Sequence, residues 1–242
     1  MGFTQELKAL YIGLDVGQKR DRTVLSLLEK YQEYGHDDFE GKNKIGKPYY
    51  KLAYLDRFAL GIPMPQQIDR VQMTYNRIVT KYNENPPPGK KSIIKPTLVI
   101  DMGNVGRALF DQFCQVKTAE YGRMNIYGIN FLPDGAKVSR DGNVYGVSKK
   151  DLASALSVVI ENDRLIIPQN IKDRAAIIQE LARFTWKVST SGNLTVENLK
   201  DADHDDIPCS LMVAIWFAEY GRHPITADDI QWWGEWRRGL GI

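Results

Sequence analysis

The stretch that most constrains the fold runs from Tyr11 to Lys30, YIGLDVGQKRDRTVLSLLEK. Leu10, Ile12 and Leu14 alternate with Tyr11, Gly13 and Asp15, the two-residue period of a strand. A polar, glycine-containing turn at residues 17–22 leads into a second β-favouring run, residues 23–28, so the stretch predicts two adjacent strands joined by a tight turn. Asp15 closes the first strand. A carboxylate there is costly to bury unless a cation or hydrogen-bond donors meet it, which makes it a candidate ligand. An aspartate that merely opens a turn has the same local signature, so the rest of the chain must decide between the two.

The 242 residues, 43% hydrophobic and 26% charged, suffice for one sizeable α/β domain or two small ones and exclude disordered and fibrous classes. No apolar run approaches the roughly 20 residues of a membrane span, and MGFTQELKA lacks the apolar centre of a secretion signal, so a cytoplasmic protein is expected. Cys114 and Cys209, each in a predicted helix, form neither a disulfide framework nor a metal-ligand spacing and read as reduced core residues. The 32 basic and 30 acidic residues leave a net charge of +2, so any nucleic-acid reading must rest on where the charges lie.

Residues 31–47 are polar and rich in Gly, Asp and Lys, and predict an exposed loop containing His36, Asp37 and Asp38. Residues 49–60 predict a third antiparallel strand. Pro63 and Pro65 open a helix with Ile68, Val71, Tyr75, Ile78, Val79 and Tyr82 on one face. The run from Asn85 to Lys91 breaks it. Residues 97–101, TLVID, have the character of a buried central strand and again end on a carboxylate, Asp101. A helix follows the glycines at 103 and 106, then a strand at 124–132 and a hairpin at 136–147 around Asp141-Gly142. Ser148 and Asp151 cap the next helix. A short strand stops at Pro168, a helix spans 171–184 and a ribbon 185–196. Asp201, Asp203, His204, Asp205 and Asp206 then precede an apolar helix over 207–220.

Adjacent strands lie about 5 Å apart, so Asp15 and Asp101 face one another if their strands end on the same edge of the sheet, and a helix crossing that edge brings Asp205 or Asp206 to them. Carboxylates so close repel unless cations join them, and their hard oxygens suit Mg²⁺ or Mn²⁺. Two such ions about 4 Å apart form the clamp for attack of water on a phosphodiester.

These pieces resemble the nuclease domain of the phage terminase large subunit, which has a ribonuclease H-like fold. The matching segments are GLDVG, TLVIDMGNVGRALFDQF, GVSKKDLASALSVVIENDRLIIP and HDDIPCSLMVAIWFA, in the family's order over residues 11–218. The resemblance implies an α/β fold: a mixed central sheet with antiparallel first three strands, helices on both faces and a β-hairpin. It would form a single domain over 1–242, with the tail 224–242 packed on it. It also implies Mg²⁺- or Mn²⁺-dependent cutting of double-stranded DNA in viral genome packaging. Asp15, Asp101, Asp205 and Asp206 would be the catalytic ligands of two ions, with His204 as a supporting group or a plain cap. Its implied partners are the terminase ATPase domain, the small terminase subunit and the portal. Many family members have Glu at the place of Asp101, and a further acid where this chain reads Ile207-Pro208-Cys209-Ser210. No phosphate-cradling glycine loop is present, so no ATPase domain is expected in this chain.

Lys19, Arg20, Arg22, Arg107, Lys137 and Arg140 are candidate contacts to a DNA backbone, each also readable as a solvated charge. Trp232, Trp233, Trp236, Arg237 and Arg238 suit either DNA or packing on the domain. Two rivals remain at this point. An actin-like or sugar-kinase-like ATPase opens with a similar strand, but Gln18-Lys19-Arg20-Asp21 lacks the small hydroxyl residues of its phosphate turn. An inactive DNA-binding module would have no need of acids at all three places.

Overall fold

The computed structural model describes residues 3–17, 21–37, 42–84, 93–103, 106–115, 117–118, 122–188, 194–197 and 206–221. The opening stretch forms β1 (Phe3–Asp15) and β2 (Val24–Asp37), paired antiparallel with Asp15 opposite Val24. β3 (Lys42–Ile45) and β4 (Tyr49–Arg57) both pair antiparallel with β2. The long helix α1 (Met64–Glu84) follows, then β5 (Thr97–Asp101), buried at every residue, and α2 (Gly106–Gln115). The short β6 (Lys117–Thr118) and β7 (Gly122–Arg123) pair with each other ahead of β8 (Asn125–Leu132). β9 (Ser139–Asp141) and β10 (Val144–Ser148) make the expected hairpin, with Gly142 at φ 55° in its turn. The chain continues through α3 (Lys149–Glu161), β11 (Leu165–Ile166), α4 (Arg174–Arg183), the ribbon β12 (Thr185–Val188) and β13 (Leu194–Glu197), and α5 (Asp206–Tyr220).

Among the described residues the main sheet runs β11-β4-β2-β1-β5-β8-β10-β9, with β3 attached to β2. β1, β5, β8 and β10 are mutually parallel, which aligns their C-terminal ends along one rim. Strand alternation divides the core between two faces. Leu98 and Ile100 of β5 pack with Val71, Tyr75 and Phe113 of α1 and α2, while Val99 packs with Leu156 of α3 and Phe217 of α5. On α1 the buried positions Gln67, Val71, Thr74, Tyr75 and Ile78 recur every three or four residues, one stripe of a helix. The residues of α5 from Asp206 to Ala218 are all buried, as expected of a helix apolar all round. The sheet is thus covered by helices on both faces.

Two expectations are corrected. The predicted loop over residues 31–47 is largely strand, because β2 runs on to Asp37 and β3 pairs with it. Main-chain hydrogen bonds hold this extension where side chains are too polar to signal it, helped by Tyr31 stacked on Tyr49 at 5.3 Å. The side chains of His36 and Asp37, and all of Asp38, lie outside the described residues. Cys114 is exposed, not in the core. The buried face of α2 is Leu109, Phe110 and Phe113, and one further residue turns about 100° away from it. Cys209 is buried as expected.

The far end of α5 is held by polar side chains. Lys30 Nζ donates to the Ala218 carbonyl at 2.6 Å, and Arg164 grips Glu219 through two guanidinium nitrogens at 2.6 and 3.2 Å while Tyr50 OH donates to the same carboxylate. Burial alone would raise the Glu219 pKa, but the Arg164 and Tyr50 hydrogen bonds carry it below the usual carboxylate range. A depressed carboxylate contributes stability above its unfolded value, about 4.3, and loses that contribution as the pH falls through the folded value. Arg164→Met is therefore expected to lower unfolding stability at pH 7 by about 1–2 kcal/mol, between the values for an exposed and a buried ion pair. The deficit should shrink on acidification below pH 4, which denaturant titrations at two pH values will read.

Candidate metal and nucleic-acid site

The three acids anticipated at element ends come to one rim. Tyr11 of β1 meets the Phe217 ring of α5 at 6.3 Å between centroids, and a Cβ on Gly13 would lie 1.9 Å from the Ser210 carbonyl oxygen. Those two residues therefore face α5, and alternation puts Asp15 on the same side. On β5 it is Val99 that packs with α5, so Asp101, two residues on, shares its face. Leu14 pairs with Ile100, which places Asp15 and Asp101 as successors on neighbouring strands about 5 Å apart. Asp206 opens α5 one helical turn before Ser210, the residue that touches Gly13. Asp206 is 3% and Asp101 9% exposed.

Backbone donors meet two of these carboxylates. Asp101 Oδ1 accepts from the Gly103 N–H at 2.7 Å, and Asp206 Oδ2 accepts from the Arg22 N–H at 3.3 Å, which links the β1–β2 turn to α5. Glu180 on α4 adds a fourth carboxylate nearby. It pairs with Arg57, and its Oε2 accepts from the Ile207 N–H at 3.4 Å, capping the first turn of α5. Burial draws the Arg57 pKa below its usual value, and the Asp206 charge offsets part of that effect. Among the described residues no three His, Cys, Asp or Glu side chains converge closely enough to hold a metal ion as they stand. Asp101 and Asp206 are instead turned toward main-chain N–H groups. The donor chemistry at the rim, carboxylate oxygen throughout, fits a hard divalent cation.

Sheet register places cations on either side of the acids. Asp15 lies opposite Val24, and Val24 opposite Arg57. In the other direction Asp101 lies opposite Ile129, Ile129 opposite Tyr145, and Tyr145 opposite Arg140. Arg140 thus stands in the row of Asp101, three strands or about 14 Å along the sheet. It is exposed, with its guanidinium 5.1 Å from the Tyr145 ring. Lys137 is exposed just before β9. Arg107 is exposed on α2 and pairs with Asp111 at 3.6 Å. Lys19, Arg20, His204, Asp205 and the tryptophan-rich tail lie outside the described residues.

Sequence reasoning missed Arg57, Glu180, Thr23 and Gln67. A signal existed for two of them: Glu180 follows Ile177 by three residues, and Gln67 precedes Val71 by four, so each falls on its helix's buried stripe.

No protein-family model matches the sequence, and no curated protein matches it. Solved structures do. The large terminase nuclease from the thermophilic phage G20c superposes with a TM-score of 0.51 at 20% identity, covering 88% of this chain and 82% of that one. Its form with bound magnesium gives 0.50 at 21% identity, covering 86% and 80%. The chain has the ribonuclease H-like fold of a large terminase nuclease. That fold agrees with the one implied by the GLDVG, TLVIDMGNVGRALFDQF and HDDIPCSLMVAIWFA segments. In this terminase nuclease fold the parallel strands β1 and β5 deliver Asp15 and Asp101 to the rim, and α5 delivers Asp206. Among the described residues no helix is long and apolar enough to cross a membrane.

Proposed function

We propose that this protein is a divalent-metal-dependent endonuclease that hydrolyses phosphodiester bonds of double-stranded DNA during phage genome packaging. The observation that carries the reading is the arrival of Asp15, Asp101 and Asp206, distant in sequence, on one face of one rim. The magnesium-bound G20c nuclease, which shares the fold, supports Mg²⁺ as an occupant. Asp15, Asp101 and Asp206, with Asp205 beside them in sequence, would hold two Mg²⁺ or Mn²⁺ ions. When bound, such ions lower the pKa of an attacking water and stabilise the leaving oxygen of an in-line displacement.

The remaining work falls to this chain's own groups. Backbone N–H donors from Gly103 and Arg22 hold two of the carboxylates in place. Arg140 and Lys137 contact phosphates on one side of the acids, so that register along the sheet positions the scissile bond. Arg22 extends the basic surface on the turn side. The terminase ATPase domain, the small subunit and the portal are the partners this role requires. Residues 1–242 act as one nuclease domain in it.

Supercoiled plasmid incubated with the protein and Mn²⁺ or Mg²⁺ should be nicked and then linearised, with no cutting in EDTA. Asp15→Ala should be inert yet folded by circular dichroism. Linearisation by Asp15→Ala at the parent's rate would overturn the assignment, and DNA binding without any cutting by the parent would mark an inactive module. Arg140→Ala should weaken binding to duplexes of any sequence and flatten its salt dependence by about one phosphate contact, read by fluorescence anisotropy across a salt series.

A further inference from the structure

Beneath the acid rim lies a buried polar contact that no catalytic role accounts for. Thr23, 3% exposed, lies between Arg22 and the first residue of β2, Val24. Its hydroxyl donates to Gln67 Oε1 at 2.7 Å and accepts from the Gly17 N–H at 3.0 Å. A hydroxyl has one proton, so the second approach, to the Gly17 carbonyl at 3.4 Å, is at most a weak share of it. Gln67, 6% exposed on α1, is itself fixed, because its Nε2 donates to the Ile62 carbonyl at 2.9 Å and so leaves Oε1 to accept from Thr23. The Thr23 carbonyl accepts from the Phe58 N–H at 2.9 Å. One side chain therefore ties the exit of β1, two residues past Asp15, to the entry of β2, one residue past the N–H that holds Asp206. Gly17 seals the join, since a Cβ there would lie 2.2 Å from the Asp21 carbonyl oxygen.

We infer that Thr23 and Gln67 are positioning residues that set the spacing of Asp15 and Asp206 by pinning both ends of the β1–β2 turn to α1. The inference rests on the reading of those acids as cation ligands. Buried polar groups of this kind are costly unless paired, and the Thr23 hydroxyl, the Gln67 Oε1 and Nε2 and the Gly17 N–H each have a partner. Neither residue touches DNA or the cation. Their effect passes through the Gly17 and Arg22 backbone.

The test is Mn²⁺ binding, followed by calorimetry and by loss of the free-ion electron-spin resonance signal, on the full chain. Thr23→Val keeps the shape and removes the hydroxyl, and should weaken Mn²⁺ by about tenfold or more. Thr23→Ser keeps the hydroxyl and should bind within about threefold of the parent. Gln67→Met removes the acceptor from the α1 side and should weaken binding as Thr23→Val does, which keeps the test open if Thr23→Val fails to fold. Asp15→Asn is the reference. If Asp15→Asn loses Mn²⁺ while folded Thr23→Val or Gln67→Met binds as the parent does, this inference is overturned and the nuclease reading stands. Equal weakening by Ser and Val also overturns it, since that loss belongs to methyl packing. If Asp15→Asn binds as the parent does, the ligand assignment falls first, and the positioning role with it.

Discussion

Asp101→Asn is expected to abolish metal-dependent cleavage while leaving the metal-free protein as stable as the parent, or more so. The amide keeps Oδ1, so the 2.7 Å hydrogen bond from the Gly103 N–H survives and the end of β5 is undisturbed. What disappears is one negative charge from a rim that also carries Asp15 and Asp206. Like charges on one rim disfavour one another even where they do not converge on a common point, so the metal-free Tm should match the parent's or rise slightly. The same change removes a ligand oxygen bearing charge. Cleavage should fall by about three orders of magnitude, the scale on which a single charge-stabilising group acts in a closed site. Added Mn²⁺, which should raise the parent's Tm by mass action, should leave that of Asp101→Asn nearly unchanged. Plasmid cleavage and melting curves with and without Mn²⁺ check both halves. A folded Asp101→Asn that cuts at the parent's rate, or a metal-free loss of several kcal/mol, would assign Asp101 a structural role instead.

Gly13→Ala should damage both stability and cleavage. The new carbon would sit 1.9 Å from the Ser210 carbonyl oxygen and 3.0 Å from the Ala214 Cβ, both on a helix buried along nearly its whole length. A backbone oxygen has no rotamer by which to step aside, so α5 must retreat by about 1 Å at a cost of about 3 kcal/mol. The retreat carries Asp206 with it, only one turn away. Misplacing a reacting group by about 1 Å can cost roughly 10²-fold in rate, so cleavage well below the melting temperature should fall by that order. Denaturant unfolding and single-turnover cleavage measure the two effects. Loss of stability with an unchanged rate would show that Asp206 does not depend on where α5 sits.

The strands and helices that position the site were legible where their apolar patterns were strong. TLVID is buried at every residue, and Ser148 caps α3 through the Asp151 N–H at 3.0 Å, as the sequence pattern implied. The extension of β2 to Asp37 was not legible, because an edge held by main-chain hydrogen bonds needs no apolar alternation. Acids at element ends were legible as candidates, since a carboxylate ending a buried strand is costly without a partner. Their convergence was not, because it depends on β1 lying beside β5 and on α5 crossing at Gly13, facts of long-range pairing. Arg57, Arg140 and the acids form one row only once the strand registers are known. Thr23 and Gln67 carry no motif, and their meaning appears only when α1 packs under the turn.

α5 is the last of the described elements in chain order, yet it lies over the first strand and supplies the third acid. A growing polypeptide therefore exposes Asp15 and Asp101 to the cell long before Asp206 has been made. Partly synthesised copies would then lack the third acid of the proposed centre, and the part of the sheet that α5 covers would stay bare. On the proposed reading, the order in which residues leave the ribosome would keep an unfinished chain from cutting nucleic acid, with chaperone demand as the corresponding cost.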